Sequence, residues 1–492
     1  PRGPGPQRSA VLRIHVLRPG GHSYYVDDLV PGRAEVTGLA GEAPGRWSGR
    51  AAADVLLSGT VHGDDLARLL AGRHPGSGRP LRAERPRSTA GFDLTFSAPK
   101  SVSLLHLLGP GEMASEVGGG HVAAVDEAVG YLERVGAGVR RSRGGEQVRL
   151  DATGLVAGAF VHRTSRTLDP HLHTHVVVAN IALGVDGTWS SLDSRRLFRH
   201  AAATRALYHA RLRHELTRRL GVAWDLRPSG MGDVIGVDPT LCRLFSGRTA
   251  DMEEHLSRRG VQRALRSGET GAGARGIAAL VTRQAKDRSQ SVEELVEGWR
   301  TRAVEFGYPP SELTRVVGLG RTEVSGRARD GHGDLVDAGR HQMGLDSDRL
   351  CARLGELDRS SRSLGRKEVV AEVAAACPAG APAAYVERVA SWLEDATPAD
   401  PARSSATDPS AEPVPSRWRA SQLAETLTGI QPTTTWTLGD EPARSPIEVT
   451  RVRDLGSQRA PPVPPRALGS ARDLDRAPDH PVRGRELPDL GR

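Results

Sequence analysis

Apolar and polar positions along the chain follow two periods, and their succession predicts a mixed α+β fold. Ala10 to Leu17 alternates weakly, as an edge strand would, until Pro19-Gly20-Gly21 breaks it. His22-Ser23-Tyr24-Tyr25-Val26 opens the next element, read as a helix. Asp64–Leu70 is a short helix, and Phe92–Ser97 alternates as a strand with Phe92, Leu94 and Phe96 toward the core. Ser101–Leu108 and His121–Val135 carry helical spacing, and residues 140–149 read as an exposed loop or hairpin around Gly144-Gly145. Leu155 to His162 and Val176 to Leu183 are apolar runs with the composition of buried strands. A turn holding Thr164, Ser165, Arg166 and Asp169-Pro170 separates them. Arg195–Leu220 is a long helix that stops at Gly221, and Trp224 starts a strand. Residues 240–310 look mainly helical, and helical spacing returns over Lys367–Glu394. Beyond Thr397 the periodicity vanishes among prolines, serines and charges, which predicts disorder, because such a segment cannot bury enough surface to offset its ordering entropy.

The histidines of the second strand change the picture from architecture to chemistry. His173 and His175 stand two apart and share one face of a strand. If the two apolar runs pair antiparallel across the turn, His162 falls beside His173. Three imidazoles with open coordination positions suit a metal acting as a Lewis acid. His171 lies on the same face and could replace one ligand; a hydrogen-bonded core histidine is the plainer alternative for any one of them.

The 492-residue chain carries a formal charge of +8 and a pI of about 9.9, with arginine far outnumbering lysine. That balance favours polyanionic partners, nucleic acid first, although an arginine-rich proteome would produce it too. Cys242, Cys351 and Cys377 are odd in number and widely spaced, which fits a reducing cytoplasm and no disulfide framework. No apolar stretch is long enough to span a bilayer and no secretory signal is visible, so membrane insertion is not expected.

Two further segments carry candidate chemistry. Tyr24-Tyr25 offers phenols with an ordinary pKa of about 10. A base and a metal-bound phosphate would let one of them attack phosphorus, although such a pair on a helix is as readily packing. In Gly91-Phe92-Asp93-Leu94-Thr95-Phe96-Ser97-Ala98-Pro99-Lys100-Ser101-Val102-Ser103, Asp93 and Thr95 lie opposite the core-facing residues. A carboxylate there could orient an imidazole or accept a tyrosine proton. Ser101 and Ser103 follow Pro99 at a helix start, where exposed amides favour an anion. A nucleic-acid partner would need a cationic track, joined by stacking aromatics wherever bases are unpaired. Arg140, Arg141, Arg143 and the arginines of 195–219 are available for it, with Trp47, Trp189 and Trp224.

Taken in order, Tyr24-Tyr25, Phe92–Ser103 and His162–Asn180 resemble the TrwC/TraI-type (MobF) conjugative relaxases of the HUH endonucleases. The likeness extends through Gly45–Gly49, Leu56–Gly59, Gly187–Asp193 and Phe245–Arg248, covering roughly residues 9–315 with a weaker echo to about 395. It implies an α+β fold with a central antiparallel sheet flanked by helices, followed by a helical extension and a disordered tail. The expected organisation is a flexible N-terminus over 1–9, a relaxase domain over 10–315, an extension over 316–396 and a basic, proline-rich tail over 397–492. It further implies site- and strand-specific nicking and rejoining of DNA at an origin of transfer, through a 5′-phosphotyrosine. Tyr24 would be the nucleophile and Tyr25 its neighbour. His162, His173 and His175 would hold Mg²⁺ or Mn²⁺, with Zn²⁺ or Ni²⁺ also suited to imidazole. Asp93 would orient a metal-bound histidine or assist deprotonation. Lys100, Arg140, Arg141, Arg143 and Arg166 are the candidate DNA contacts. The partners implied are a DNA hairpin with its single strand, relaxosome accessory proteins, a coupling protein and a separate helicase.

Two departures from the family pattern stand out. Val36-Thr37 occupies the place of a second tyrosine pair, which leaves the closing transesterification to Tyr25 or another molecule. No G-x-x-x-x-G-K-[ST] loop occurs, so neither helicase nor ATPase activity is expected. These departures keep one rival open, a non-cleaving DNA-binding remnant; a second is a metal-dependent phosphodiesterase in which His162, His173 and His175 activate water.

Overall fold

Five antiparallel strands make the central sheet: β1 (Leu12–Leu17), β2 (Arg46–Ser48), β3 (Gly91–Ser97), β6 (Ala157–Thr164) and β7 (Pro170–Ala179), in the order β1-β3-β7-β6-β2. The computed structural model describes residues 12–18, 42–83, 89–143, 146–165, 167–227, 230–247, 291–319, 344–358, 364–397 and 418–428. A hairpin of β4 (Gly138–Arg143) and β5 (Glu146–Asp151) interrupts the sheet strands in sequence. Two small ribbons, β8 (Ala182–Leu183) with β9 (Trp189–Ser190) and β10 (Trp224–Leu226) with β11 (Gly232–Val234), follow it.

Side-chain alternation gives the sheet two unlike faces. Phe92, Leu94 and Phe96 of β3, with Leu172, Val176 and Val178 of β7, are buried in the main core. Covering that face are α2 (Lys100–Leu108), α3 (Gly111–Gly136) and α4 (Ser194–Leu220), which supply Val102, Leu104, Val125, Leu132, Leu212 and Leu216. His121 of α3 crosses this layer, hydrogen-bonded to the Tyr208 hydroxyl at 2.9 Å and the Thr174 hydroxyl at 2.8 Å. On the opposite face a smaller cluster of Leu17, Trp47, Phe160 and Val177 is closed over by Leu66, Leu69 and Leu70 of α1 (Gly63–Leu70). It seals one end of that face.

α3 begins at Gly111 rather than at His121. The Gly118-Gly119-Gly120 run lowers helix propensity, and tertiary packing overrides it. A Cβ at Gly120 would stand 3.0 Å from Leu216 and 3.2 Å from Glu215, so glycine lets α3 and α4 approach closely. The expected strand over Val176–Leu183 ends at Ala179 instead. Asn180 breaks it, its amide nitrogen donating to the Thr89 carbonyl at 2.8 Å and its amide oxygen accepting from the Leu192 N–H at 3.1 Å.

Short helix α5 (Pro239–Leu244) and then α6 (Val292–Glu305) and α7 (Pro310–Thr314) join the main core through Leu241, Trp299 and Leu313. A second cluster forms where α8 (Ser347–Asp358), α9 (Arg366–Ala375) and α10 (Ala383–Ala396) meet Ala203, Leu207 and Ala210 of α4. α9 and α10 are two helices, broken at Pro378-Ala379-Gly380. Arg213 holds the junction: its buried guanidinium donates to the carbonyls of Gly230 at 2.5 Å, Ala374 at 3.0 Å and Cys377 at 2.9 Å. It thus caps the carbonyl end of α9, where a cation is favoured.

The expectation of disorder from residue 397 onward fails at 418–428. There α11 (Ala420–Thr428) buries Leu423 and Leu427, with Trp418 before it, in the second cluster. Residues 420, 423 and 427 share one helical face, and a short apolar stripe suffices once a partner surface exists. Among the described residues no helix is long and apolar enough to cross a membrane.

Candidate metal centre on the open sheet face

The β6–β7 register sets His162 directly opposite His173 and Phe160 opposite His175. Directly opposed residues share a face, so all three imidazoles emerge together beyond the end sealed by α1. One nitrogen from each lies within 4.8 Å of the others. Ring centroids are 5.3 Å apart for His162–His173 and His162–His175, and 5.1 Å for His173–His175. His171 stacks on His173 at 4.7 Å and stays outside this group of three.

Hydrogen bonds fix the tautomers of two of the rings. The Nδ1–H of His173 donates to the His171 carbonyl at 2.9 Å, and a carbonyl can only accept. His175 Nδ1–H donates to both carboxylate oxygens of Asp93, at 2.8 and 3.0 Å. With Nδ1 so engaged, Nε2 is the ring nitrogen each imidazole can offer to a cation, as metal-binding histidines require. Burial, then the neighbouring His171, His175 and His162, push the His173 pKa well below its ordinary value. It is therefore neutral and competent as a ligand at physiological pH. Asp93 is 2% exposed and lies behind His175. The Thr95 hydroxyl also faces His175 Nδ1, at the long distance of 3.4 Å.

The turn between the strands is held from below. Leu168 adopts φ 57°, a strained conformation for a branched residue, and its carbonyl accepts from the Trp299 indole at 2.9 Å. Asp169 accepts from Thr167 at 3.0 Å and from the Gly247 N–H at 2.8 Å. Lys100 donates its ammonium to the Pro170 carbonyl at 2.7 Å, and burial pushes its pKa down to about 8 against the opposing pull of Asp169. Glu42 accepts from the backbone N–H of Arg163 at 3.0 Å, tying the segment before Trp47 to the strand that carries His162.

Of the residues singled out in the sequence, His162, His173, His175, Asp93 and Thr95 come together. Tyr24, Tyr25, Val36, Thr37 and Arg166 lie outside the described residues. Arg140 is 3.6 Å from Asp193 and 44% exposed. Arg141 is committed to Asp186 at 2.8 Å and to the Ser190 hydroxyl at 2.6 Å. Arg143 ends β4. The arginines of α4 do not make an open cationic track: Arg211, Arg218 and Arg219 converge on the buried Glu215, and Arg213 is buried. Of the tryptophans, Trp47 is a core residue, whereas Trp189 and Trp224 are half-buried.

Sequence reading missed Arg13 and His15. The β1–β3 register puts them opposite Thr95 and Asp93, on the histidine face, and both are exposed. The alternation of β1 held that signal once its neighbour was known.

Three comparisons bear on this centre. The TrwC relaxase family model matches residues 18–306. The multifunctional conjugation protein TraI of Escherichia coli strain K12 is 33% identical over 285 residues, 56% of this chain but only 15% of that protein. Among solved structures, conjugative relaxase TrwC in complex with OriT DNA, in a metal-bound form, is 31% identical with a TM-score of 0.52, covering 60% of this chain and 99% of that one. TrwC complexed with a 27-mer DNA comprising the recognition hairpin and the cleavage site is 29% identical, again with a TM-score of 0.52, 60% of this chain and 99% of that one.

Proposed function

The chain belongs to the TrwC relaxase family of MobF conjugative relaxases, and from that premise we propose that it nicks and rejoins one DNA strand at an origin of transfer. The carrying observation is the three-imidazole cluster backed by a buried carboxylate, on the paired strands of a matched relaxase domain.

Tyr24 is the proposed nucleophile. Its oxygen bonds to the scissile phosphorus as the bond to the 3′ oxygen breaks; the phenol proton passes to a base and the leaving oxygen takes one up. The product is a 5′-phosphotyrosine and a free 3′-hydroxyl. Because one phosphodiester replaces another, little free energy is lost, and the strand can be rejoined by the reverse attack. His162, His173 and His175 suit a divalent metal through their nitrogen donors, and Mg²⁺, Mn²⁺, Zn²⁺ or Ni²⁺ held there would polarise the non-bridging phosphate oxygens. Asp93, buried behind His175, orients that imidazole and keeps its hydrogen on Nδ1 rather than serving as the tyrosine's base.

Origin DNA, as a hairpin with its single strand, is the proposed substrate. Arg140, Arg143 and Arg166 remain its proposed phosphate contacts. Lys100 and Arg141, committed to the Pro170 carbonyl and the Asp186 turn, serve the frame instead. In this reading the relaxase domain runs over 10–315 and the later helices dock on it as an extension. The test is cleavage of candidate transfer-origin oligonucleotides in the presence of Mn²⁺. His173→Ala is expected to abolish nicking while keeping most of the DNA affinity; undiminished nicking would contradict the ligand assignment.

A further inference from the structure

Arg13 of β1 stands on the histidine face, outside the imidazole cluster. Leu12 and Ile14 of this strand pack into the main core, whereas Leu17 is buried in the cluster beneath α1. Arg13 and His15 share the side of Leu17, because alternate residues of a strand do. Across the sheet Arg13 pairs with Thr95, Thr95 with His175, and His175 with Phe160. Arg13 is the only lysine or arginine in that row, and β3 and β7 contain none at all. It is exposed, and among the described residues no hydrogen bond or ion pair engages its guanidinium. Lys100 and Arg141, in contrast, are committed to the Pro170 carbonyl and to Asp186.

Charges on an edge strand discourage pairing with other chains, but a cation on either face serves that purpose. The row through His175 is what makes Arg13 particular. Two strand spacings, roughly 10 Å, separate its Cα atom from that of His175. Thr95, the one side chain between them in the row, is short. An extended arginine and an imidazole reaching across that distance have room for one phosphate group between them.

We propose that Arg13 binds the scissile phosphate, donating to a non-bridging oxygen beside the imidazole cluster, and that it offsets the charge that builds there during attack. This role rests on the nicking proposed above. A phosphodiester attacked by a phenolate carries up to two negative charges, one from each partner. Imidazole donors bring no charge, and the Asp93 carboxylate behind His175 brings a negative one. A divalent cation therefore leaves one negative charge without a counterpart. Arg13 supplies the missing positive charge, and its planar fork matches phosphate oxygens. Because arginine stays protonated in proteins, the contribution does not titrate with the reaction.

The test uses the full chain, a transfer-origin oligonucleotide that the parent cuts with Mn²⁺, and the same oligonucleotide with an uncharged methylphosphonate at the cut position. Arg13→Ala is expected to slow single-turnover nicking about 100-fold, as loss of one donor to a developing oxyanion does. In metal-free buffer the methylphosphonate should weaken binding to the parent about tenfold, the loss of one charge-assisted contact. It should leave binding to Arg13→Ala unchanged. Calorimetric Mn²⁺ affinity should stay within about twofold in Arg13→Ala, since an exposed charge at that distance is largely screened. A methylphosphonate penalty of equal size in both chains would overturn the assignment and leave Arg13 as an edge-protecting charge. Undiminished nicking by Arg13→Ala would overturn it too, as would a Mn²⁺ affinity that falls along with the rate. A parent chain that cuts no oligonucleotide would instead overturn the nicking itself, on which the role of Arg13 depends.

Discussion

Replacing Asp93 by asparagine isolates the carboxylate from the imidazole it holds. Both Asp93 oxygens accept from His175 Nδ1, at 2.8 and 3.0 Å, and the side chain is buried away from water. Asparagine fits the same space in two ways. With its amide oxygen toward the ring, the hydrogen bond survives without charge assistance, at about half its strength. With its nitrogen toward the ring, Nδ1 must become the acceptor, the hydrogen moves to Nε2, and the ligand lone pair is lost. The Thr95 hydroxyl, 3.4 Å away, is too distant to restore the original tautomer. Loss of an orienting partner of this kind weakens metal binding by about 10- to 100-fold, or roughly 1.4–2.7 kcal/mol. Calorimetric titration of the full chain with Mn²⁺ reads this directly, and thermal unfolding without metal checks the fold. Since the substitution also removes a buried charge, the metal-free melting temperature should not fall. A Mn²⁺ affinity within twofold of the parent, on a folded chain, would refute the orienting role.

Acid unfolding tests the core. His121 titrates at about 3 in the fold because burial disfavours its charge, against 6.5 as the ordinary value. The unfolded chain therefore takes up the proton first as pH falls, and stability present above pH 6.5 declines by about 1.4 kcal/mol per pH unit down to about 3 from this residue alone. His121→Gln should flatten that slope in urea titrations, and an unchanged slope would contradict the buried neutral assignment. Arg213→Ala leaves three carbonyls without their donor and should cost on the order of 3 kcal/mol or more, with the helices at 344–397 becoming the first protease target. At Gly380, φ is 81° and a Cβ would stand 2.0 Å from the Ala210 carbonyl oxygen and 2.4 Å from the His214 nitrogen. Gly380→Ala should therefore lower stability by about 2 kcal/mol or more in urea unfolding, and a neutral result would show that the helices separate easily there.

The centre was legible in the sequence because its information is local. Period-two spacing put His173 and His175 on one face, and two apolar runs around a short turn brought His162 beside them. Alternation of Phe92, Leu94 and Phe96 likewise turned Asp93 away from the core. Sequence alone left two partners open for that carboxylate, because the choice depends on the β3–β7 register, a contact between distant segments. The arginines of α4 misled for the same reason: their acids lie at Glu116, Glu127 and Glu215, and helical spacing does not reveal two of these three. α11 went unread because proline-rich flanks hid a stripe whose partner surface comes from elsewhere in the chain. Local period therefore identified the face, and long-range packing decided which charges remained free to act.

A covalent bond between Tyr24 and a DNA 5′ phosphate is the claim on which the mechanism depends. Intact-mass spectrometry after incubation with transfer-origin oligonucleotides and Mn²⁺, followed by peptide mapping, measures it directly. A mass increase equal to the 3′-side fragment is expected, mapped to Tyr24 and lost in Tyr24→Phe. Cleavage that leaves the protein mass unchanged and persists in Tyr24→Phe would contradict it and point to attack by water.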